Sequence, residues 1–201
     1  MVIANGEQEQ EIRLKNMNKE VAFIFENAIP AAEKLDDIDV LFILNQDIHA
    51  IDFKNFRLKP IFINSVIDTL LQLQLPDNVS RINAWPGFLQ RETWELVSEN
   101  KMEAQAVFEV LQWKIIFVKD EPGMVAARVV SMIINEAFFA LEERISTKEE
   151  IDLAMKLGTH YPWGPFEWAE KIGLKNVANL LKKLYEKDAR YFPASTLQRD
   201  L

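Results

Sequence analysis

Eight residues constrain this chain more than any others: Tyr161-Pro162-Trp163-Gly164-Pro165-Phe166-Glu167-Trp168. Two prolines fix φ and remove two backbone donors, and the glycine admits geometry that a side chain would block. Set among large aromatics, they predict a rigid, buried turn rather than a solvated loop. Upstream, Lys119-Asp120-Glu121-Pro122-Gly123 ends a strand and opens a long apolar helix. The hydrophobic pattern changes there, which predicts two domains, residues 1–119 and 120–201.

Before that boundary the apolar residues come in short runs, at 21–25, 40–44, 60–64 and 115–118. Runs of this length between polar stretches suit buried parallel strands. A helix is predicted over 98–111, with Met102, Ala106, Val107 and Val110 on its buried face. Strands alternating with helices give an α/β layer. After the boundary only helices are predicted. Residues 124–143 lack Gly and Pro and are apolar on most faces, as in a helix buried between partners. Ser146 or Thr147 caps the next helix, with Glu149 and Glu150 as capping-box partners and Gly158 as its end. Residues 166–172 form a short helix stopped by Gly173. Residues 175–187 form the last, burying Val177, Leu180, Leu181 and Leu184. The expected fold class is α/β followed by all-α.

Composition excludes several functions. A net charge of -8 argues against nucleic-acid binding, which needs a basic face. The absence of cysteine rules out disulfides, thiolate zinc sites and cysteine nucleophiles, and fits a cytoplasmic protein. Residues 1–18 are polar, without the apolar core of a signal peptide. No apolar run approaches the roughly 20 residues of a membrane helix. With only His49 and His160, no histidine-rich metal site is expected.

The motifs of the second half, in their order and spacing, resemble the C-terminal domain of the 3-hydroxyacyl-CoA dehydrogenase family, which includes the 3-hydroxybutyryl-CoA dehydrogenases. The resemblance is carried by Lys119, Asp120, Pro122 and Gly123, by Glu136-Ala137, and by Glu149-Glu150-Ile151-Asp152-Leu153-Ala154-Met155-Lys156-Leu157-Gly158. It continues through Tyr161 to Glu167, Gly173-Leu174, Leu184-Tyr185, and Arg190-Tyr191 with Pro193. Glu170 stands where the family has Asp. The resemblance implies a helical domain like the C-terminal domain of 6-phosphogluconate dehydrogenase. It also implies a homodimer contact through that domain and one wall of an acyl-CoA site.

The same family opens with a Rossmann domain of about twice the length available here, and a Gly-x-Gly-x-x-Gly loop whose glycines let backbone approach a pyrophosphate. The comparable segment is Val2-Ile3-Ala4-Asn5-Gly6-Glu7-Gln8-Glu9. One glycine remains, Gly6. Glu9 takes the place of the last glycine and Glu7 adds a second carboxylate, and both oppose a bound diphosphate. The segment reads as a polar strand and turn. The expectation is a truncated Rossmann-like domain with no bound cofactor, NAD entering only through the resemblance. Residues 37–43 are similar to the family's Ala-Asp-x-Val-Ile-Glu strand. Asn64 and Ser65 fall in its substrate-holding Asn-Thr-Ser-Ser segment. Asn83 falls at the catalytic histidine and Glu95 at the glutamate that orients it. Asparagine does not titrate near neutrality, so it cannot serve as that base. Ala127 falls at a substrate-contacting Asn. His49, near Asp47 and Asp52, and His160, before the turn, are poor substitutes. The five tryptophans are read as core. The resemblance, with these departures from it, implies a dehydrogenase-like protein of fatty-acid and acyl-CoA metabolism that keeps fold and dimer and binds an acyl-CoA-like ligand or a protein partner, without NAD-dependent oxidation. The alternatives are an active oxidoreductase with a divergent site and a non-catalytic dimeric scaffold.

Overall fold

Short strands assemble into one sheet in the first part of the chain. In a computed structural model, described for residues 1–16, 20–30, 32–56 and 59–199, they are β1 (Val2–Ile3), β2 (Phe25–Glu26), β3 (Leu41–Ile43), β4 (Ile61–Asn64), β5 (Val79–Ile82), β6 (Thr93–Val97) and β7 (Lys114–Phe117). Residues 17 and 18 of the polar N-terminal stretch, and 200–201 of the second predicted domain, lie outside the described residues. The strand order is β2-β1-β3-β4-β5-β6-β7. The first five are parallel, β6 runs against β5, and β7 is parallel to β6. The chain leaves β1 on one side for β2 and resumes on the other at β3, so the topological switch point lies between β1 and β3.

Residues Met1–Met124 form one compact unit and Val125–Leu201 another. In the first unit, one face of the sheet buries Val2, Phe42, Phe62 and Ile82 beneath α1 (Gly6–Lys15) and α3 (Lys101–Leu111). The opposite face buries Ile3, Ile43, Ile61 and Ile63 against Phe53 and flanking loops. Phe42 stacks on Phe62 at 4.9 Å, and Phe108 meets Phe62 edge-on at 5.0 Å. Trp85, Trp94 and Trp113 are buried.

Three expectations are corrected here. Of the 21–25 run only Phe25 is strand, with Glu26 beyond it, because its single neighbour β1 is two residues long and a strand needs a ladder partner. The segment after β1 is a helix, not a turn. Its sequence shows no apolar stripe, and it is started by a capping box in which Asn5 accepts from the Gln8 N–H and Gln8 accepts from the Asn5 N–H. Helix α3 buries Ala104, Phe108 and Leu111, leaving Met102 86% and Val110 60% exposed. Both faces are apolar, and the one carrying the larger Phe108 ring is buried because burial free energy follows area.

β5 and β6 carry buried polar residues that broke the apolar pattern. Ser80 Oγ donates to Ser98 Oγ at 2.8 Å. Arg81 is fully buried. Its Nε lies 2.8 Å from Asp120 Oδ1, Nη1 donates to the Ser65 and Asp68 carbonyls, and Nη2 donates to the Glu121 carbonyl. Burial lowers the Arg81 pKa, while Asp120 raises it. Asp120 also accepts from the Leu70 and Leu71 N–H groups, which start the short α2 (Leu70–Leu73). Gly123, at φ 77°, donates to the Val66 carbonyl at 2.7 Å. The Lys-Asp-x-Pro-Gly segment thus ties down the end of the first unit.

The second unit contains α4 (Ala126–Glu142), α5 (Lys148–Thr159), α6 (Pro165–Ile172), α7 (Leu174–Tyr185) and α8 (Ser195–Arg199). Val177, Leu180, Leu181 and Leu184 are buried, as their spacing predicts. Thr147 and Glu150 form the α5 capping box, and Ser146 Oγ donates to Glu150. α5 runs past Gly158 to a left-handed cap at His160, whose N–H bonds the Lys156 carbonyl. The aromatic turn is only partly buried: Tyr161 is 39% exposed and Pro162 is exposed, whereas Gly164, Pro165, Phe166 and Trp168 are buried. Asp152 explains the need for glycine at position 164. The Asp152 carboxylate, on α5, accepts from the Phe166 N–H at 2.8 Å and the Glu167 N–H at 3.2 Å, capping α6 from outside. Glu167 reaches back to the Gly164 N–H at 2.9 Å and pairs with Lys156 at 2.5 Å.

Candidate functional site

In an open α/β sheet, ligands bind beyond the carboxyl ends of the parallel strands, at the switch point. Here the carboxyl ends of β3, β4 and β5 are stitched together by two amides. Asn64, the last residue of β4, donates to the Leu44 carbonyl at 3.1 Å and accepts from the Ala84 N–H at 3.0 Å. Gln8, in the first turn of α1, donates to the same Leu44 carbonyl at 3.2 Å and to the Ala84 carbonyl at 3.4 Å. Sequence reasoning missed Gln8; the Asn5-x-x-Gln8 capping-box spacing was the available signal.

Ser65 follows Asn64, and its hydroxyl donates to the Asp68 carbonyl at 2.8 Å. Asn83 follows β5 and is 6% exposed. Its Oδ1 accepts from the Trp85 N–H at 3.3 Å, and its buried Nδ2 has no hydrogen-bond partner. β5 and β6 pair Arg81 with Val97 and Ile82 with Leu96. Continuing that register by one residue sets Asn83 opposite Glu95, itself buried. The first unit therefore brings Asn64, Ser65, Asn83 and Glu95 to one edge of the sheet. Ala127 lies in the second unit, fully buried on α4. His49 Nε2 lies 3.6 Å from Asp68, and Asp47 accepts the His49 backbone N–H. Among the described residues no cluster of His, Asp or Glu could hold a metal.

This edge does not fit a dinucleotide. A pyrophosphate needs free N–H groups at the helix N-terminus and backbone close enough to reach it. The first turn of α1 is capped by Asn5, carries Glu7 and Glu9, and sends the Gln8 side chain across the switch point.

A mostly parallel sheet with its switch point between β1 and β3, followed by a helical unit, defines a Rossmann-like domain with a helical C-terminal domain. The comparisons are more specific. Residues 123–201 match the 3-hydroxyacyl-CoA dehydrogenase C-terminal domain family. The chain is 40% identical to 3-hydroxyadipyl-CoA dehydrogenase of Escherichia coli K12 over 84 residues, 41% of this chain and 18% of that protein. It is 30% identical to 3-hydroxybutyryl-CoA dehydrogenase of Clostridioides difficile over 135 residues, 63% of this chain and 48% of that protein. The crystal structure of (S)-3-hydroxybutyryl-CoA dehydrogenase from Ralstonia eutropha has the same fold, with a TM-score of 0.69 at 24% identity over 85% of this chain and 68% of that one. The matches span less than half the length of these two curated relatives. Residues 123–201, which include the whole helical unit, thus resemble the C-terminal domain of the 3-hydroxyacyl-CoA dehydrogenases, and over part of its length the chain is similar to members of that family.

Proposed function

We propose that this chain keeps the family's scaffold without its NAD-dependent oxidation, and that it is a cytoplasmic, homodimeric protein binding an acyl-CoA-like ligand. One observation carries the reading: the Gln8 amide, bonded to the Leu44 and Ala84 carbonyls, crosses the place a pyrophosphate would need. Asn83 at the position of the family's base supports it, because a carboxamide cannot accept the substrate hydroxyl proton near neutrality. What Asn83 retains is a buried, unpartnered Nδ2 donor. Such a donor suits the carbonyl oxygen of a thioester, since satisfying a buried polar group is worth about 1–3 kcal/mol.

The test joins NADH fluorescence titration with turnover of acetoacetyl-CoA. The expected result is no NADH binding and no NADH consumption, with acetoacetyl-CoA detected by calorimetry. Clear NADH consumption overturns the reading. A purely dimeric scaffold would bind neither compound. Among the described residues no helix is long and apolar enough to cross a membrane.

A further inference from the structure

One unexplained feature of the first unit is a cavity on the opposite side of the sheet from the Asn83 edge. It encloses about 660 Å3. Met1 and Val40 precede β1 and β3, and Val21 to Ile24 precede β2, so the cavity opens at the amino ends of these strands. Its other wall is the side of α3 that carries Ala106, Val107 and Val110. Phe23 and Phe42 line it, and both rings stack or tilt against Trp113. A cavity of this size with mostly apolar walls and a few polar groups is the ordinary form of a small-molecule site.

The charged side chains have one sign. Among the sixteen described residues lining the cavity, four are Asp or Glu and none is Lys, Arg or His. They are Glu20, Asp37, Asp39 and Glu103. Among these described residues the Met1 ammonium is the positive group, and Lys59 stands beside them, its Nζ donating to the Leu35, Asp36 and Ile38 carbonyls. The Met1 ammonium donates to the Val40 carbonyl at 2.7 Å, and burial lowers its pKa to about 6, so it offsets little of that charge at neutral pH. An anionic head such as a carboxylate or phosphate is repelled by this rim. A positive head is attracted by the carboxylates.

We propose that this cavity binds an amphiphile with an apolar chain and a cationic head, an alkylammonium or quaternary ammonium compound. The chain lies between Phe42 and the Val107–Val110 face of α3, and the head sits among the carboxylates. This site is separate from the Asn83 edge and stands whether or not that edge binds acyl-CoA.

Calorimetric titration of the full chain with three octyl compounds below their micellar range tests it: octyltrimethylammonium, octanoate and octanol. The ammonium compound is expected to bind at least about tenfold more tightly than octanoate, with the advantage shrinking as salt rises. Asp37→Asn/Asp39→Asn is expected to shrink the preference while octanol binding persists. Ala106→Trp, at an exposed helical position, is expected to fill the cavity and abolish binding of all three. Val110→Trp repeats that test independently if Ala106→Trp fails to give a cooperative thermal transition. Absence of binding by the ammonium compound, equal binding of octanoate, or undiminished binding in the folded tryptophan variants would overturn the proposal.

Discussion

At Gly164 the requirement for glycine is steric. A Cβ there would lie 2.3–2.4 Å from Asp152 Oδ1, Cβ and Cγ, which no packed structure tolerates. The contact exists because Asp152 comes close enough to cap two N–H groups of α6. The motif is therefore two residues acting together, twelve positions apart. Gly164→Ala is expected to destabilise the chain by about 1–3 kcal/mol through overpacking. Asp152→Ala is expected to cost about 2 kcal/mol, the value of a lost cap with charge-assisted bonds. Because either change removes part of what the other disrupts, the double variant should be less destabilised than the sum by at least about 1 kcal/mol. Urea unfolding of the four proteins measures the coupling; strict additivity would show that the two residues act independently.

Elements differ in how plainly the sequence shows them, and the difference is physical. The α7 stripe was legible because one face is apolar and the other charged, so periodicity specifies burial. α1 was not, because it buries Gln8 and Glu11 beside Ile12 and so carries no apolar period. α3 has two apolar faces, and only the sheet decides between them. β5 and β6 were hidden by buried Ser80, Arg81 and Glu95, whose environments come from distant segments. Asn83 and Glu95 were picked out through the family resemblance, but the Gln8 bridge across the switch point joins residues up to 76 positions apart. The start of α6 adds a pH dependence. Lys156 and the Gly164 N–H hold the Glu167 pKa below its ordinary 4.5. The unfolded chain then binds this proton at higher pH than the folded chain does. The stabilisation is present above 4.5 and lost as pH falls through the lower folded value. Glu167→Gln should lower the melting temperature at neutral pH, and the two proteins should converge in acid. A constant difference across the range would show that the ion pair and cap contribute nothing through ionisation.

For the whole molecule, the question is what covers the outer side of α4. Val125 and Val129 are 52% and 48% exposed, and Met132 and Ile133 are half-buried. Spaced at i, i+4, i+7 and i+8, they form one stripe, so α4 is apolar on a side its own unit does not fill. Four side chains cannot supply the ~800 Å2 per partner of a stable interface. Leu153 and Leu157 on α5, 55% and 71% exposed, add apolar surface in the same unit. A second copy of this chain is the partner we propose, in keeping with the homodimer inferred above. If two copies bury this stripe, association stabilises the folded state by mass action, and the melting temperature rises with protein concentration. Val129→Glu places a carboxylate at the centre of the stripe, where pairing would desolvate it without a partner. Light scattering after size exclusion should report a dimer for the wild type and a monomer for the variant, whose melting temperature should no longer depend on concentration. A wild type that is monomeric at every concentration, or a variant that dimerises equally well, would place the contact elsewhere or remove it.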